Sequence, residues 1–114
     1  MIWVNIEDHF RVVSTQKGAD IGEVFERLAK ASKILSRHDE FAHSDTLGFL
    51  TCCPSNLGTG LQITVTVNLP NLGHESDDLR VITDKFKVKA NNKGNSLFEI
   101  SNKRMLGISE VELV

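Results

Sequence analysis

The sequence predicts an α+β fold in which an antiparallel β-sheet carries helices packed on one face. Three observations point there. Residues 61–69 alternate without a break, apolar Leu61, Ile63, Val65, Val67 and Leu69 against polar Gln62, Thr64, Thr66 and Asn68, the two-residue period of a strand with one face buried. Ile21, Val24, Phe25, Leu28, Ala31 and Leu35 instead follow the i, i+3, i+4, i+7 spacing of a helix with one apolar side. Residues 86–89 and 97–100 read as two further strands around a turn-rich segment, a hairpin. At 114 residues the chain is one domain at most, and no repeat, linker or low-complexity tract subdivides it.

Taken in order, residues 2–16 are strand-like, with Val4, Phe10, Val12 and Val13 among their apolar positions, and Lys17-Gly18-Ala19 is the turn out. Asp20 followed by Glu23 marks a helix N-cap and its capping partner, and Arg27, Lys30, Lys33 and Arg37 suit the negative end of that helix as a solvated face. Residues 36–46 are polar, and the spacing of His38 and His43 is a poor metal constellation, so no metal site is expected. Residues 47–70 read as strand, loop, strand. The loop Cys53-Pro54-Ser55-Asn56-Leu57-Gly58-Thr59-Gly60 has the small residues that let main-chain N–H groups point at an anion. Asn71-Leu72-Gly73-His74 is a loop, and Ser76-Asp77-Asp78 opens a short helix containing Leu79, Ile82 and Phe86. Ala90-Asn91-Asn92-Lys93-Gly94-Asn95-Ser96 is the turn of the final hairpin. Ser109 and Glu112 form a capping box with only Leu113 and Val114 beyond it, a helix announced and cut off within a turn.

Thirteen Lys and Arg against 15 Asp and Glu give a net charge of −2, which supplies no basic field for a nucleic acid. The first residues lack the charged and apolar regions of a signal peptide, and no apolar run reaches membrane-spanning length. A cytoplasmic protein without a membrane partner is expected. Cys52 and Cys53 are adjacent, which disfavours a disulfide between them and predicts two free thiols.

The run C-P-S-N-L-G-T-G-L-x-x-x-V-x-V-x-L-P, beginning at Cys53, closely resembles the signature segment of the phosphagen kinases, the arginine and creatine kinases. Trp3-Val4-Asn5-Ile6-Glu7-Asp8-His9-Phe10-Arg11 looks like the family's W-V-N-E-E-D-H-L-R, and Ile100-Ser101-Asn102-Lys103-Arg104-Met105-Leu106-Gly107 like its I-S-N-K-R-R-L-G. The latter, with Phe41-Ala42-His43-Ser44-Asp45, leans toward the arginine kinases. The resemblance implies reversible transfer of the ATP γ-phosphoryl group to a guanidino substrate, arginine or creatine, with ATP/ADP and Mg²⁺ as cofactors. It implies Glu7 and Cys53 as catalytic residues at the guanidinium, with Arg11, Asn56, Gly58, Gly60, Gln62 and Arg104 around the nucleotide. If residues 7–11 run as one strand, Glu7, His9 and Arg11 share a face. The family also carries a small helical domain upstream and a long helix downstream. Residues 1–114 are therefore expected to be one truncated, incomplete catalytic domain, whose uncovered face calls for self-association or a partner chain.

Several family positions are altered. Gln62 stands where the family has Arg, Thr66 where it has His, and Ile6 in place of the first Glu of N-E-E-D. Ala90 occupies an Arg position in a shortened loop, and Met105 replaces the second Arg of S-N-K-R-R. Phosphoryl transfer depends on cationic donors around the phosphates, so these losses predict an inactive or strongly impaired chain. The alternative is a non-catalytic pseudoenzyme fragment that binds nucleotide or a partner protein. Ordinary readings of the same residues remain open: Cys53 as a small apolar residue, Cys52 as core packing, Glu7 with Arg11 as a cross-strand ion pair, His9 as structural, and Asn56, Gly58 and Gly60 as turn formers.

Overall fold

The computed structural model describes residues 1–71 and 77–114. In chain order the elements are β1 (Ile2–Val4), β2 (Phe10–Val12), α1 (Ile21–Leu35), β3 (His43–Ser44), β4 (Gly48–Phe49), a 3₁₀ turn (Pro54–Asn56), β5 (Thr64–Asn68), α2 (Asp77–Lys85), β6 (Val88–Gly94), β7 (Leu97–Asn102) and α3 (Glu110–Leu113). Among the described residues all strand pairs are antiparallel: β1 with β2, β3 with β4, and a three-stranded sheet in the order β5-β7-β6. The α+β class is as predicted, but the sheet is in three pieces.

The three-stranded sheet holds the core. Val65 pairs with Ile100 and Val67 with Phe98, while Ala90 pairs with Ile100 from the other side. Because paired residues share a face and alternate residues repeat it, these side chains form one apolar surface. Phe98, on the central strand, is only 2% exposed, and Leu61 just ahead of β5 is 8% exposed. Thr64, Thr66, Asn68, Glu99, Lys89 and Asn91 alternate onto the opposite, polar face. There Lys93 pairs with Glu99 at 3.1 Å.

Several expectations need correction. Only Thr64–Asn68 of the alternating run is in the ladder. Residues 90–94 are strand, because β6 continues to Gly94, and the turn shrinks to Asn95 and Ser96. Both have positive φ, 53° and 63°, the geometry of a two-residue hairpin turn whose twist matches the strands. Phe86 and Lys87 are not strand: α2 ends at Lys85, Lys87 turns left-handed at φ 54°, and Phe86 is exposed. Ile82 is also exposed, so that helix buries less than its spacing implied. The expected loop at 72–74 and the helix start at Ser76 lie outside the described residues.

The first helix follows its sequence closely. Asp20 Oδ1 accepts the Glu23 N–H at 2.9 Å, while the Glu23 carboxylate accepts from Gln16 Nε2 at 2.7 Å. Ile21, Val24, Phe25, Leu28, Ala31 and Leu35 are half-buried, and α1 packs on β2. Its basic side chains are solvated, with Lys30–Glu26 and Arg27–Glu23 pairs at 2.7 and 4.0 Å, one turn apart. Edge-to-face contacts Phe10–Phe41, Phe41–Phe49 and His43–Phe49, with centroids 6.4, 6.3 and 5.1 Å apart, then join the β1-β2 hairpin to β3-β4. The Ser109–Glu112 capping box is formed, heading the four-residue α3.

Candidate active site

Residues 2–16 do not run as a single strand, which changes how the first signature segment presents its side chains. Asn5 takes a left-handed φ of 53°, and its N–H donates to His9 O at 3.0 Å, closing residues 5–9 into the loop between β1 and β2. His9 Nδ1 lies 3.4 Å from Asn5 Oδ1, the structural reading of that histidine. The expectation that Glu7, His9 and Arg11 share a strand face is therefore wrong. Glu7 sits on the loop and Arg11 on β2, opposite Trp3. Nor do Glu7 and Arg11 form an ion pair, although both are exposed.

Asp8 carries this loop onto the Cys53 turn. Its Oδ1 accepts the N–H groups of Cys52 and Cys53 at 2.6 and 3.3 Å, and its Oδ2 accepts from Asn56 Nδ2 at 2.8 Å. The Asn56 hydrogen bond, opposed by partial desolvation and helped by the two N–H groups and His9, holds the Asp8 carboxyl below the ordinary aspartate range. The turn is also braced from within: Thr51 Oγ1 donates to Cys53 O at 2.7 Å, and Cys53 Sγ is 2.9 Å from Ser55 Oγ. Cys53 is half-buried, whereas Cys52 is exposed, against the expectation that it packs in the core. Both thiols are free.

The glycine loop does not offer its amides as an anion cradle. The N–H groups of Asn56, Leu57, Gly58 and Thr59 donate to Cys53 O, Pro54 O, Phe49 O and Met105 O at 3.0, 3.3, 3.4 and 3.0 Å. The N–H of Gly60 makes no hydrogen bond among the described residues. Gly58 is buried because backbones converge on it: at φ 115° a Cβ would overlap the Met105 carbonyl group. Its place is fixed by that approach.

Gln62 and Arg104 are brought together by a residue that composition and periodicity did not single out. The Asn102 Nδ2 group donates to Leu61 O at 3.1 Å and to Arg104 O at 2.9 Å, while its Oδ1 accepts the Ile63 N–H at 2.9 Å. One side-chain amide thus brackets Gln62 from both sides and ties it to Arg104. Both side chains are exposed, and neither forms an ion pair among the described residues.

A family model described as ATP:guanido phosphotransferase, C-terminal catalytic domain, matches residues 1–114. The chain belongs to that family. The arginine kinase of Penaeus japonicus is 38% identical over 121 residues, and that of Amphioctopus fangsiao 40%; each alignment covers 100% of this chain and 34% of the relative. The chain thus spans about a third of the length of the curated relatives it matches. Among solved structures, the duplicated taurocyamine kinase of Schistosoma mansoni with bound transition state analog components superposes at a TM-score of 0.91 with 38% identity. That match covers 98% of this chain and 16% of the other. A lombricine kinase gives 0.89 with 34% identity, covering 98% and 34%.

In a phosphagen kinase the phosphates must meet cations or strong donors, and of the expected nucleotide-binding residues Arg11, Gln62 and Arg104 present exposed side chains of that kind. Exposed guanidinium groups without a carboxylate partner among the described residues fit phosphate oxygens, so the donor set suits a nucleotide in kind. Among the described residues no group of three His, Cys, Asp or Glu side chains is placed to hold a metal. Mg²⁺ normally keeps its waters and rides on phosphate oxygens, so it fits here only as part of a nucleotide complex. No helix among the described residues is long and apolar enough to cross a membrane. Two residues that sequence reasoning gave no role, Asp8 and Asn102, hold the site's parts in place. Their signal was visible only as letters within the two flanking family segments.

Proposed function

We propose that this chain is the nucleotide- and guanidino-handling core of a cytoplasmic phosphagen kinase, organised as one domain over residues 1–114, and that turnover by the chain alone is absent or strongly impaired. The observation that carries the reading is the joining of Gln62 and Arg104 through Asn102, two exposed phosphate-binding side chains from separate signature segments. The reaction is reversible transfer of the γ-phosphoryl group of Mg²⁺-bound ATP to a guanidino nitrogen of arginine or creatine. Arg11, Gln62 and Arg104 bind phosphate oxygens, Gly60 adds its free N–H, and Asn56 and Gly58 shape the turn. Glu7 accepts guanidinium N–H groups and takes the proton, with Cys53 beside it.

The binding-only alternative has a specific observation in its favour. Ala90, at the family's arginine position, lies within β6 opposite Ile100 on the apolar face, and the strands close through a two-residue turn rather than a mobile loop. Gln62 brings no charge, and loss of one transition-state donor typically costs 10²–10³ in rate, roughly 3–4 kcal/mol. Thermal melts with Mg²⁺·ADP or Mg²⁺·ATP, with and without arginine or creatine, should show a nucleotide-dependent rise in midpoint. A coupled assay should show no turnover above background. No shift with any combination would remove the binding reading, and robust turnover would remove the impairment.

A further inference from the structure

The geometry points to Asp8 as the positioning residue of this site: its carboxylate fixes the loop that carries Glu7 against the turn that carries Cys53 and Asn56. The inference rests on the phosphagen-kinase reading for its catalytic meaning, but its geometry does not. Residues 5–9 have little else to hold them there. Asn5 and His9 close the base of the loop, and Ile6 at its tip is 55% exposed, so apolar burial does not anchor the tip. Three hydrogen bonds accepted by one carboxylate do, donated by Cys52, Cys53 and Asn56, which lie 44, 45 and 48 residues away in sequence.

The chemistry requires a carboxylate at this place. Both oxygens are acceptors, and all three groups facing them are N–H donors. An amide at position 8 would keep one oxygen for the Cys52 and Cys53 N–H groups but turn its own NH₂ toward the NH₂ of Asn56. Rotating Asn56 to compensate would give up the contact of its Oδ1 with Ser55 Oγ at 3.5 Å, and Ser55 Oγ is the neighbour of Cys53 Sγ at 2.9 Å. Asp8 therefore sets the thiol's surroundings through Asn56 and Ser55 as well as through the main chain. Glu7 is one bond along the chain from this anchor. The loop position of Glu7 relative to the Cys53 turn therefore depends on Asp8, and misplacing a catalytic group by about 1 Å can cost about 10²-fold in rate.

The same donor–acceptor logic supplies the test, read as the labelling rate of Cys53 by a dithiodipyridine reagent in a Cys52→Ser background of the full chain. Asp8→Asn should label about tenfold faster, as expected for loss of a charge-assisted hydrogen bond that holds the turn closed. Asn56→Asp, which sets two carboxylates face to face, should label faster still. The two substitutions together restore one donor opposite one acceptor and should return the rate to within about twofold of the parent. A residue that acted through overall stability would raise labelling only in step with global unfolding, which the exchange measurement separates. Hydrogen exchange provides a second measurement on the otherwise unaltered chain carrying Asp8→Ala: the amides of Cys52 and Cys53 should lose protection while those of β5 and β7 keep it. Unchanged labelling in Asp8→Asn, a swapped pair as fast as the single variants, or uniform loss of exchange protection would each overturn the assignment. None of these readouts needs nucleotide, so failure to bind ATP would count against the function and leave the positioning claim to be decided on its own.

Discussion

Single residues here divide by whether their backbone surroundings leave room for change. Gly58→Ala drives a Cβ into the Met105 and Leu106 backbone at a φ of 115°, while the nearest atom to a Cβ at Gly60 is 3.9 Å away at a φ of 61°. Overpacking and backbone strain each cost roughly 1–3 kcal/mol. Gly58→Ala should therefore lower unfolding stability by about 3 kcal/mol or more, and Gly60→Ala by about 1 kcal/mol, in urea titrations. Gln62→Arg tests a different property. It restores a charge beside Arg104 but leaves Ala90 and Met105 unchanged, and groups that act as a unit are strongly non-additive. Tighter binding of Mg²⁺·ADP without measurable turnover is the expected outcome by calorimetry and coupled assay. Asp8 gives a pH dependence whose sign follows from its lowered pKa, caused chiefly by the Asn56 hydrogen bond. A carboxyl depressed in the folded state contributes stability above its unfolded pKa of about 4, and that contribution disappears as pH falls through the lower folded value. The stability gap between the natural chain and Asp8→Asn should therefore be full at pH 6 and shrink below about pH 4. Glu26, Asp84 and Glu112 are also depressed, but both proteins share them, so they cancel in the difference.

Elements were legible in the sequence where local pattern decided them. The apolar stripe of α1 and its Asp20 cap needed no distant partner, and the 61–69 alternation located a strand. What it could not show was where the ladder begins. Pairing with β7 starts at Thr64 opposite Ser101, and the residues ahead of it bond to the Asn102 side chain, about 40 positions away. The 90–96 segment failed for the opposite reason. Its Asn, Lys and Gly composition reads as loop, yet β6 is an edge strand, where polar and charged residues are expected because one edge faces solvent. The site was legible only through its resemblance to a family, and even then Asp8 and Asn102 went unassigned because their partners lie on distant segments. The tight turn yields a prediction at this scale. Ser96 holds φ 63° with a side chain, in a turn whose preferred second residue is glycine. Ser96→Gly should stabilise the chain by about 0.5–1 kcal/mol in urea titrations, since relief of left-handed strain outweighs the added freedom of the unfolded chain. A loss of stability would mean that the Ser96 side chain contributes more than its backbone costs.

The whole molecule exposes more surface than its size should. Its accessible area is 8753 Å², against about 6,200 Å² for a typical monomer of this mass. Exposed apolar side chains occur along the chain, Val111, Val81 and Phe86 among them, but one run is contiguous: Met1, Ile2, Trp3, Val4, Ile6 and Phe10 are 77, 49, 47, 60, 55 and 40% exposed, all on or beside the two-stranded β1-β2 ribbon. Hydrogen bonds from Asn5 N to His9 O and from Val13 N to Met1 O show that Met1 and Asn5 face β2. By strand alternation the N–H and C=O groups of Ile2 and Val4 then point outward, along an edge unpaired among the described residues. A two-stranded ribbon is marginal alone, and an uncovered apolar edge invites pairing with another copy. Burying a few hundred Å² of apolar surface is worth about 5–10 kcal/mol, comparable with the entire stability of a small domain. The isolated 114-residue chain should consequently self-associate, with a melting midpoint that rises with protein concentration and a Trp3 emission that shifts to the blue as it does. Val4→Lys places a charge on the free edge and should remove most of that dependence. Sedimentation and melts over a hundredfold concentration range decide it: a monomer with a high, concentration-independent midpoint would mean that the ribbon is stable as it stands, and that exposed Ile2, Trp3 and Val4 need no partner.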